Sequence, residues 1–190
     1  IYMRYYHFKK GNKEFSQELE STQCSRIKDD GHQCRNRVVI GGNLCHIHRK
    51  SVLHLTIKPS TIAEAGDGLF CFKPKAGRDV VFKKGQKICD YNGQVINGEV
   101  LYERYGEGNS DYAMELFHQL YEDASVKRGI GSLANRKKNA NAKLSIKKNN
   151  RAQLLATKNI RHNDEILTAY GRSYRLGKND ISKTNSRKNI

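Results

Sequence analysis

The chain has 190 residues, and its 35 lysine and arginine residues against 19 aspartate and glutamate residues give a formal net charge of +16. This length allows one domain of moderate size, or one domain with a small additional module. The sequence has neither an apolar run long enough to cross a bilayer nor a signal-peptide pattern. We therefore expect a soluble, intracellular protein that is not secreted, and the start at Ile1 instead of Met predicts a fragment or a processed chain.

The charge is divided along the chain. Residues 99–123 contain seven acidic residues and one basic residue, Arg104, whereas residues 124–190 contain seventeen basic and three acidic residues. A basic excess of this size indicates a polyanionic partner such as nucleic acid. The alternative is that the charge serves only solubility.

The predicted elements are short. Residues 1–22 could form a helix, or a strand followed by a loop. Asn97 is a good N-cap for a helix that Gly106 would end. Alternating apolar residues between glycine-rich turns predict short strands. These strands lie at 54–58, 69–72, 88–91, 112–116, 152–156 and 165–170.

The overall pattern predicts a mainly β, irregular domain with one or two short helices, in the α+β class. Residues 177–190 have almost no apolar side chains, and we expect them to form a basic tail. The sequence has no internal repeat.

Residues 24–48 have the composition of a small zinc module. Cys24, Cys34, Cys45 and His48 follow the pattern C-x9-C-x10-C-x2-H. Three thiolates and one imidazole form a closed tetrahedral zinc site, and a segment this short and polar needs such a staple to fold. An odd total of five cysteines argues against a disulfide framework.

Alternatives for this module stay open at the sequence level. His46 is the rival fourth ligand and His32 a more remote one; without a metal, the three cysteines would be ordinary buried residues. Cys71 and Cys89 lie in strand patterns and are expected in the core. The spacing resembles the plant WRC-type motif and related modules, which implies DNA binding. Basic residues surround the module, as on a phosphate-contacting surface or on a merely solvated face: Arg26, Lys28, Arg35, Arg37, Arg49 and Lys50.

Four further motifs follow in order. They are a Gly-x-Gly within 61–70, Tyr-x-Gly-x-x-Ile at 91–96, Asn-x-x-x-Asn-x-Asn-Ala at 135–142 and Glu-x-Leu-Thr-x-Tyr-Gly at 165–171. Each motif alone is weak, but their combination resembles the SET-domain family of protein lysine methyltransferases over residues 52–176.

The resemblance implies a fold and a cofactor. The fold is a SET-type β-clip of small curved sheets with a C-terminal pseudoknot, and the co-substrate is S-adenosylmethionine. The chain would divide into an N-terminal segment with the zinc module at 1–50, a catalytic domain at 51–176 and the tail at 177–190.

The resemblance also implies site residues. Tyr170 matches the catalytic tyrosine that orients the substrate amine, with Tyr174 as the next candidate. Tyr112 and Tyr91 match aromatic residues near the cofactor or the lysine channel, although either could belong to the core. The implied cofactor-binding residues are Gly66, Asp67, Gly68, Leu69, Tyr112, Asn135, Arg136 and Tyr170. Glycines at 66 and 68 would let the backbone approach the cofactor, or would be ordinary turn residues.

The chain departs from the family pattern at several positions. Arg136 replaces the usual histidine after Asn135, and Ala140 replaces the usual proline. No cysteine follows Tyr170, so the lysine channel must be closed by other means than a zinc-binding post-SET module. Thr168 stands where the family often has Phe or Tyr, so the number of methyl groups transferred is not assigned.

Three functional hypotheses follow. The first is a lysine methyltransferase that acts on a histone tail or nucleosome, with an acidic wall at 99–123 facing the tail and basic surfaces contacting nucleic acid. The second is a catalytically impaired, zinc-containing DNA- or RNA-binding module. The third is a methyltransferase of a non-chromatin basic protein, such as a ribosomal or viral packaging protein. The first predicts a nuclear or chromatin-associated protein, or a viral factory or virion protein in a virus.

Overall fold

The computed structural model describes residues 21–38, 42–106, 112–125 and 129–169, together with two strands at 6–10 and 13–17. Its strands are β1 (Tyr6–Lys10), β2 (Lys13–Gln17), β3 (Thr22–Gln23), β4 (Arg37–Val38), β5 (Leu55–Pro59), β6 (Asp67–Cys71), β7 (Val80–Phe82), β8 (Lys87–Asp90), β9 (Gln94–Asn97), β10 (Ala113–Phe117), β11 (Leu120–Asp123), β12 (Ala142–Ile146), β13 (Ala152–Ala156), β14 (Ile160–Arg161), β15 (Glu165–Ile166) and β16 (Thr168–Ala169). The helices are α1 (His46–His48) and α2 (Gly98–Tyr105), with a π-helical turn at Arg49–Leu53 and 3₁₀ turns at Pro74–Ala76 and Ile130–Leu133.

The strands form small sheets. A four-stranded sheet has the order β16-β12-β13-β8, and two three-stranded sheets have the orders β15-β6-β5 and β10-β11-β9. Strand pairing is antiparallel except between β12 and β16. The prediction of a mainly β fold with few short helices is confirmed, and so are the small sheets of a SET-type fold.

The described residues have two separate cores. The larger core joins the sheets through fully buried side chains such as Leu55, Leu69 and Ile166. The smaller core consists of the three cysteines of the module with Val38. Burial of aliphatic side chains therefore stabilises the larger core, whereas the smaller one has almost no aliphatic content.

Helix α2 forms as predicted. The side chain of Asn97 accepts a hydrogen bond from the backbone N–H of Val100 at 2.9 Å, and Gly106 ends the helix with a φ of 60°. For residues 1–22, the strand alternative holds, since β1 and β2 pair as an antiparallel hairpin. The predicted tail at 177–190 lies outside the described residues. No helix in the described part of the chain is long and apolar enough to cross a membrane.

Two acidic residues of the 99–123 segment lie inside the protein. Glu122 accepts hydrogen bonds from the backbone N–H groups of Gly93 and Ala152, at 2.8 and 2.6 Å, and pairs with Arg151. Asp123 pairs with Arg104 at 2.8 Å. Both carboxylates are fully buried. They fasten the β9–β11 region to the four-stranded sheet and to α2, so they do not belong to an exposed acidic wall.

Candidate functional site

Asn135 joins two of the sequence motifs. Its side-chain Nδ2 donates to the backbone oxygen of Asp67 at 3.1 Å and lies 3.4 Å from a carboxylate oxygen of Glu165. The other amide atom, Oδ1, has no hydrogen-bond partner among the described residues. An acceptor is therefore available at this position for an N–H donor of a bound molecule.

Glu165 holds the loop between β5 and β6 (the hairpin loop) against residues 135–142 and 165–169 (the knot). Its carboxylate accepts hydrogen bonds from the hydroxyl of Ser60 at 2.7 Å, from the backbone N–H of Thr61 at 2.8 Å and from the hydroxyl of Thr61. Burial alone would raise the pKa of Glu165, but these hydrogen bonds favour the carboxylate and hold its pKa below the usual 4.5. A charged, fully engaged Glu165 therefore fixes the loop that precedes Gly66.

The two glycines of the hairpin have different roles. A Cβ atom at Gly68 would collide with the carboxylate of Glu165 and lie 3.2 Å from Nδ2 of Asn135, so this position requires glycine. Gly66 adopts a φ of 69°, and a Cβ there would point into open space. The hairpin backbone is thus close to the knot at Gly68 and accessible at Gly66, as the approach of a cofactor to the backbone requires.

Asn141 ties the last two strands to β12. Its Nδ2 donates to the backbone oxygen of Glu165 at 2.8 Å, and its Oδ1 accepts from the backbone N–H of Leu167 at 2.9 Å. Thr168 follows, and its backbone N–H donates to the oxygen of Asn135 at 2.8 Å. The hydroxyl of Thr168 is buried without a partner among the described residues. These contacts bring residues 135–142 and 165–169 into one knot.

Other predicted cofactor residues are more peripheral. Leu69 is fully buried in the larger core. The backbone of Arg136 forms an isolated parallel β-bridge with that of Thr168, and the side chain of Arg136 is exposed. Neither observation tests a role in cofactor binding, so the cofactor contacts of Leu69 and Arg136 stay predictions.

Two of the three predicted catalytic tyrosines are neighbours. The hydroxyl of Tyr91 donates to the backbone oxygen of Tyr112 at 2.9 Å, and Tyr91 is only 6% exposed. Tyr112 is partly buried against the larger core. Tyr170 and Tyr174 lie outside the described residues. Their catalytic roles therefore stay predictions.

Cys24, Cys34, Cys45 and His48 form one group that could hold a metal ion, and their ligand atoms lie within 4.8 Å of one another. The Nδ1 atom of His48 is 3.4 Å from the sulfurs of both Cys24 and Cys45. Tetrahedral zinc with ordinary Zn–S and Zn–N bonds requires ligand separations of about 3.5 to 3.8 Å. The donor set fits zinc, and the His48 separations of 3.4 Å are close to this geometry, whereas Cys34 and Cys45 are 4.0 Å apart.

The local environment favours the thiolate form at Cys45. Burial would raise the pKa of this thiol, but the backbone N–H groups of His48 and Ile47 and the amide of Asn36 lower it to about 6. The rival ligands His46 and His32 are exposed and lie outside the group. Cys71 is a core residue as predicted, and burial raises the pKa of its thiol to about 12.

A continuous helical segment connects the Cys/His group to the larger core. Helix α1, which contains His48, continues directly into the π-helical turn at Arg49–Leu53, and Leu53 packs against the larger core. The Lys50 ammonium lies 4.9 Å from the ring centroid of Phe72. The proposed boundary at residue 50 thus falls inside a helical segment.

Sequence reasoning assigned no role to several residues that build this site. Glu165, Asn141 and Thr61 belong to the sequence motifs, but the motifs predict no contacts for their side chains, and Ser60 lies just before the 61–70 motif. The sequence contains one signal for the structural role of Glu165. This charged residue begins the predicted strand at 165–170 and is followed directly by the apolar Ile166 and Leu167. A charge in such a position is retained only where it is paired or hydrogen-bonded.

Comparison with known protein families decides which family the sequence motifs belong to. Residues 79–171 match the sequence profile of the SET domain. This match includes the Tyr-x-Gly-x-x-Ile motif and both knot motifs, and it begins shortly after the hairpin. The chain contains a SET domain. The predicted family is therefore confirmed, and the SET family comprises S-adenosylmethionine-dependent protein lysine methyltransferases.

Solved structures with the same fold include the polycomb repressive complex 2 (PRC2) of Chaetomium thermophilum, at 19% identity with a TM-score of 0.55 over 76% of this chain and 17% of that one. The complex ctPRC2 in an autoinhibited conformation bound to S-adenosylmethionine matches at 19% identity with a TM-score of 0.53, over 82% and 18%. The complex ctPRC2 with H3K27me3 and H3K27M matches at 21% identity with a TM-score of 0.54, over 78% and 17%. These likenesses establish the fold.

The SET domain chain spans less than a fifth of the length of these solved chains. The comparison with curated proteins gives no matching sequence.

Proposed function

We propose that this SET domain protein transfers a methyl group from S-adenosylmethionine to a lysine of a basic protein, with a histone tail as the favoured substrate. The observation that supports this most is the convergence of Asn135, Gly68 and Glu165, which joins the hairpin to the knot. The cofactor supplies an electrophilic methyl group. Zinc at the Cys/His group would serve a structural role, because all four tetrahedral positions are filled by side chains.

The residues of the chain would bind the cofactor and prepare the amine. The open Oδ1 of Asn135 and the accessible backbone at Gly66 would hold the polar end of the cofactor. The hydroxyl of Tyr170 would orient the substrate amine, with Tyr91 and Tyr112 forming part of the channel wall. A lysine side chain has a pKa of about 10.4 in water, and an apolar aromatic channel would lower it and so release the proton.

The β9–β11 region supports a peptide substrate. Strand β10 lies at the edge of its sheet among the described residues, and sheet edges are where extended peptides add as a further strand. Among the described residues of the 99–123 segment, three acidic side chains are exposed, namely Glu99, Glu103 and Glu115. They would attract a lysine- and arginine-rich tail even though Glu122 and Asp123 are buried.

The test is a methylation assay with labelled donor on free histone H3 and on nucleosomes across a salt series. We expect transfer to both, with nucleosomes preferred at low salt because the basic surfaces of the enzyme would also contact DNA. Equal activity on both substrates with no salt effect would argue against the chromatin substrate. Transfer only to another basic protein would favour a ribosomal or viral packaging substrate.

One observation favours a second candidate, a nucleic-acid-binding module without activity. Arg136 replaces the family's histidine, and its side chain is exposed instead of packed in the knot. This candidate predicts nucleic-acid binding that Tyr170→Phe does not change, and no automethylation. Calorimetric titration with S-adenosylhomocysteine separates the two, because only the methyltransferase must bind it.

A further inference from the structure

Five lysines lie together at one end of the four-stranded sheet. At this end β12 begins and β13 ends, since Ala142 pairs with Ala156. The five residues, called the sheet-end patch below, are Lys84, Lys137, Lys138, Lys143 and Lys158.

Backbone contacts bring the patch together from separate loops. The N–H of Lys137 donates to the oxygen of Thr168 in the edge strand β16, at 3.1 Å. The N–H of Lys158 approaches the oxygen of Asn141 at 3.4 Å, next to the start of β12. The N–H of Lys84 donates to the side chain of Asn159 at 3.0 Å, and Asn159 follows Lys158 directly. The patch is therefore one surface and not a list of scattered lysines.

The charges of the patch are not neutralised. All five lysines are exposed, and no ion pair among the described residues involves any of them. Residues 129–163 contain nine basic residues and no acidic residue. By contrast, two other lysines of this sheet region, Lys87 and Lys147, share Asp90, at 2.9 and 3.0 Å. Unpaired like charges held together produce a strong local positive potential.

The zinc module is a weaker candidate for the same role. Lys28 pairs with Asp30 at 2.9 Å, and a second acidic residue, Asp29, lies beside it. The side chain of Arg37 is bound to Ser21, at 3.0 Å from its hydroxyl. Part of the module's positive charge is therefore already engaged within the protein.

The composition of the patch selects the class of partner. Exposed asparagines at 139 and 159 directly follow lysines of the patch, and amide side chains with lysines are typical phosphate contacts. A membrane surface would also require exposed apolar side chains, but the exposed one in this sheet, Ile146, lies at the opposite end of β12. We propose that the sheet-end patch binds the phosphate backbone of double-stranded DNA. This proposal deepens the nucleic-acid part of the proposed function and does not require methyl transfer.

The experiment measures binding of the full, zinc-loaded chain to a short random-sequence DNA duplex by fluorescence anisotropy over a salt series, without methyl donor. The test variant combines Lys138→Gln, Lys143→Gln and Lys158→Gln. Two control variants remove the same charge elsewhere, one with Arg26→Gln, Lys28→Gln and Arg35→Gln and one with Lys73→Gln, Lys75→Gln and Arg78→Gln. Unchanged thermal unfolding and zinc content show that each variant is folded.

The test variant should bind DNA at least about tenfold more weakly at low salt. The slope of log affinity against log salt concentration should be less negative by about 2 to 3 for this variant, because each lost phosphate contact removes about 0.9 from the slope. Both controls should change much less. The proposal is overturned if the three variants lose affinity equally, if the module variant loses most, or if polyglutamate displaces the DNA as well as competitor DNA does. Since no donor is present, the result is independent of catalytic activity.

Discussion

The side chain of Asn135 donates a hydrogen bond to the backbone oxygen of Asp67 at 3.1 Å, although 67 residues separate them in the sequence. This contact fixes the Gly-x-Gly hairpin against the knot. It uses the donor side of the amide, and the acceptor side has no partner among the described residues. One side chain therefore joins the Gly-x-Gly hairpin to the knot. Substitutions of Asn135 should weaken cofactor binding before they affect substrate binding.

Asn135→Ala should weaken cofactor binding. It removes the contact to Asp67 and the open acceptor, so we expect the dissociation constant of S-adenosylhomocysteine to rise about tenfold or more, which corresponds to about 1.4 kcal/mol. Isothermal titration calorimetry measures this. The matched control is Asn139→Ala, an exposed asparagine of the same motif that should leave affinity unchanged. Equal affinities for all three proteins would remove Asn135 from the cofactor site.

Glu165→Gln should change the pH dependence of stability. Because the folded-state pKa of Glu165 lies below its usual value, the carboxylate stabilises the protein above about pH 4.5. That stabilisation is lost as the pH falls through the lowered pKa. Urea unfolding across this acidic range should show a steeper loss for the wild type than for Glu165→Gln, which should already be less stable at neutral pH by about 1.5 to 3 kcal/mol.

The control for this prediction is Glu115→Gln, since the side chain of Glu115 is exposed and has no hydrogen bond or ion pair among the described residues. It should leave both the stability and its pH dependence nearly unchanged. If Glu165→Gln and Glu115→Gln behaved alike, Glu165 would not hold the hairpin loop.

Thr168→Val should not destabilise the protein. The hydroxyl of Thr168 is buried and unpaired among the described residues, and an unpaired buried polar group costs about 1 to 3 kcal/mol. Valine has nearly the same shape, so the free energy of unfolding should stay equal or increase. Thr157→Val is the contrast, because the hydroxyl of Thr157 contacts the oxygen of Ala140 at 3.4 Å. A loss above about 1 kcal/mol for Thr168→Val would reveal a partner of its hydroxyl.

Removal of zinc should unfold the module first. Chelation or Cys34→Ser would leave residues 24–48 without their staple, since the smaller core consists mainly of the cysteines themselves. Much of the larger core should stay folded, because its aliphatic residues are separate. Hydrogen exchange with mass spectrometry measures both regions, and metal analysis should give one zinc per chain.

The continuous helical segment joins the module to the larger core, so the unfolding of the module can extend beyond residue 48. Unfolding could spread from His48 through the π-helical turn as far as Leu53. If the larger core melts together with the module, the two form one domain and the boundary at residue 50 is wrong. His48→Ala should release the metal, whereas His46→Ala should retain it, because His46 is exposed and outside the group.

The sequence predicted those features that depend on local chemistry. The grouping of three cysteines with His48 follows from their spacing in the sequence, and α2 follows from its cap at Asn97. The family followed from motif order. Strand β12 was missed because Lys143 and its polar neighbours mask the alternation, and only pairing with β13 makes it a strand. The burial of Glu122 was missed as well, since its partners lie about thirty residues away on either side.

The measurement that tests the central claim most directly compares methyl transfer by the wild type and Tyr170→Phe, using labelled S-adenosylmethionine and histone H3. The account predicts transfer by the wild type, and a loss of about a hundredfold in Tyr170→Phe, about 3 kcal/mol in the barrier, with unchanged S-adenosylhomocysteine affinity. Full activity in Tyr170→Phe would move the catalytic role to another residue, with Tyr174 next. A wild type that neither binds S-adenosylhomocysteine nor transfers a methyl group would contradict the account.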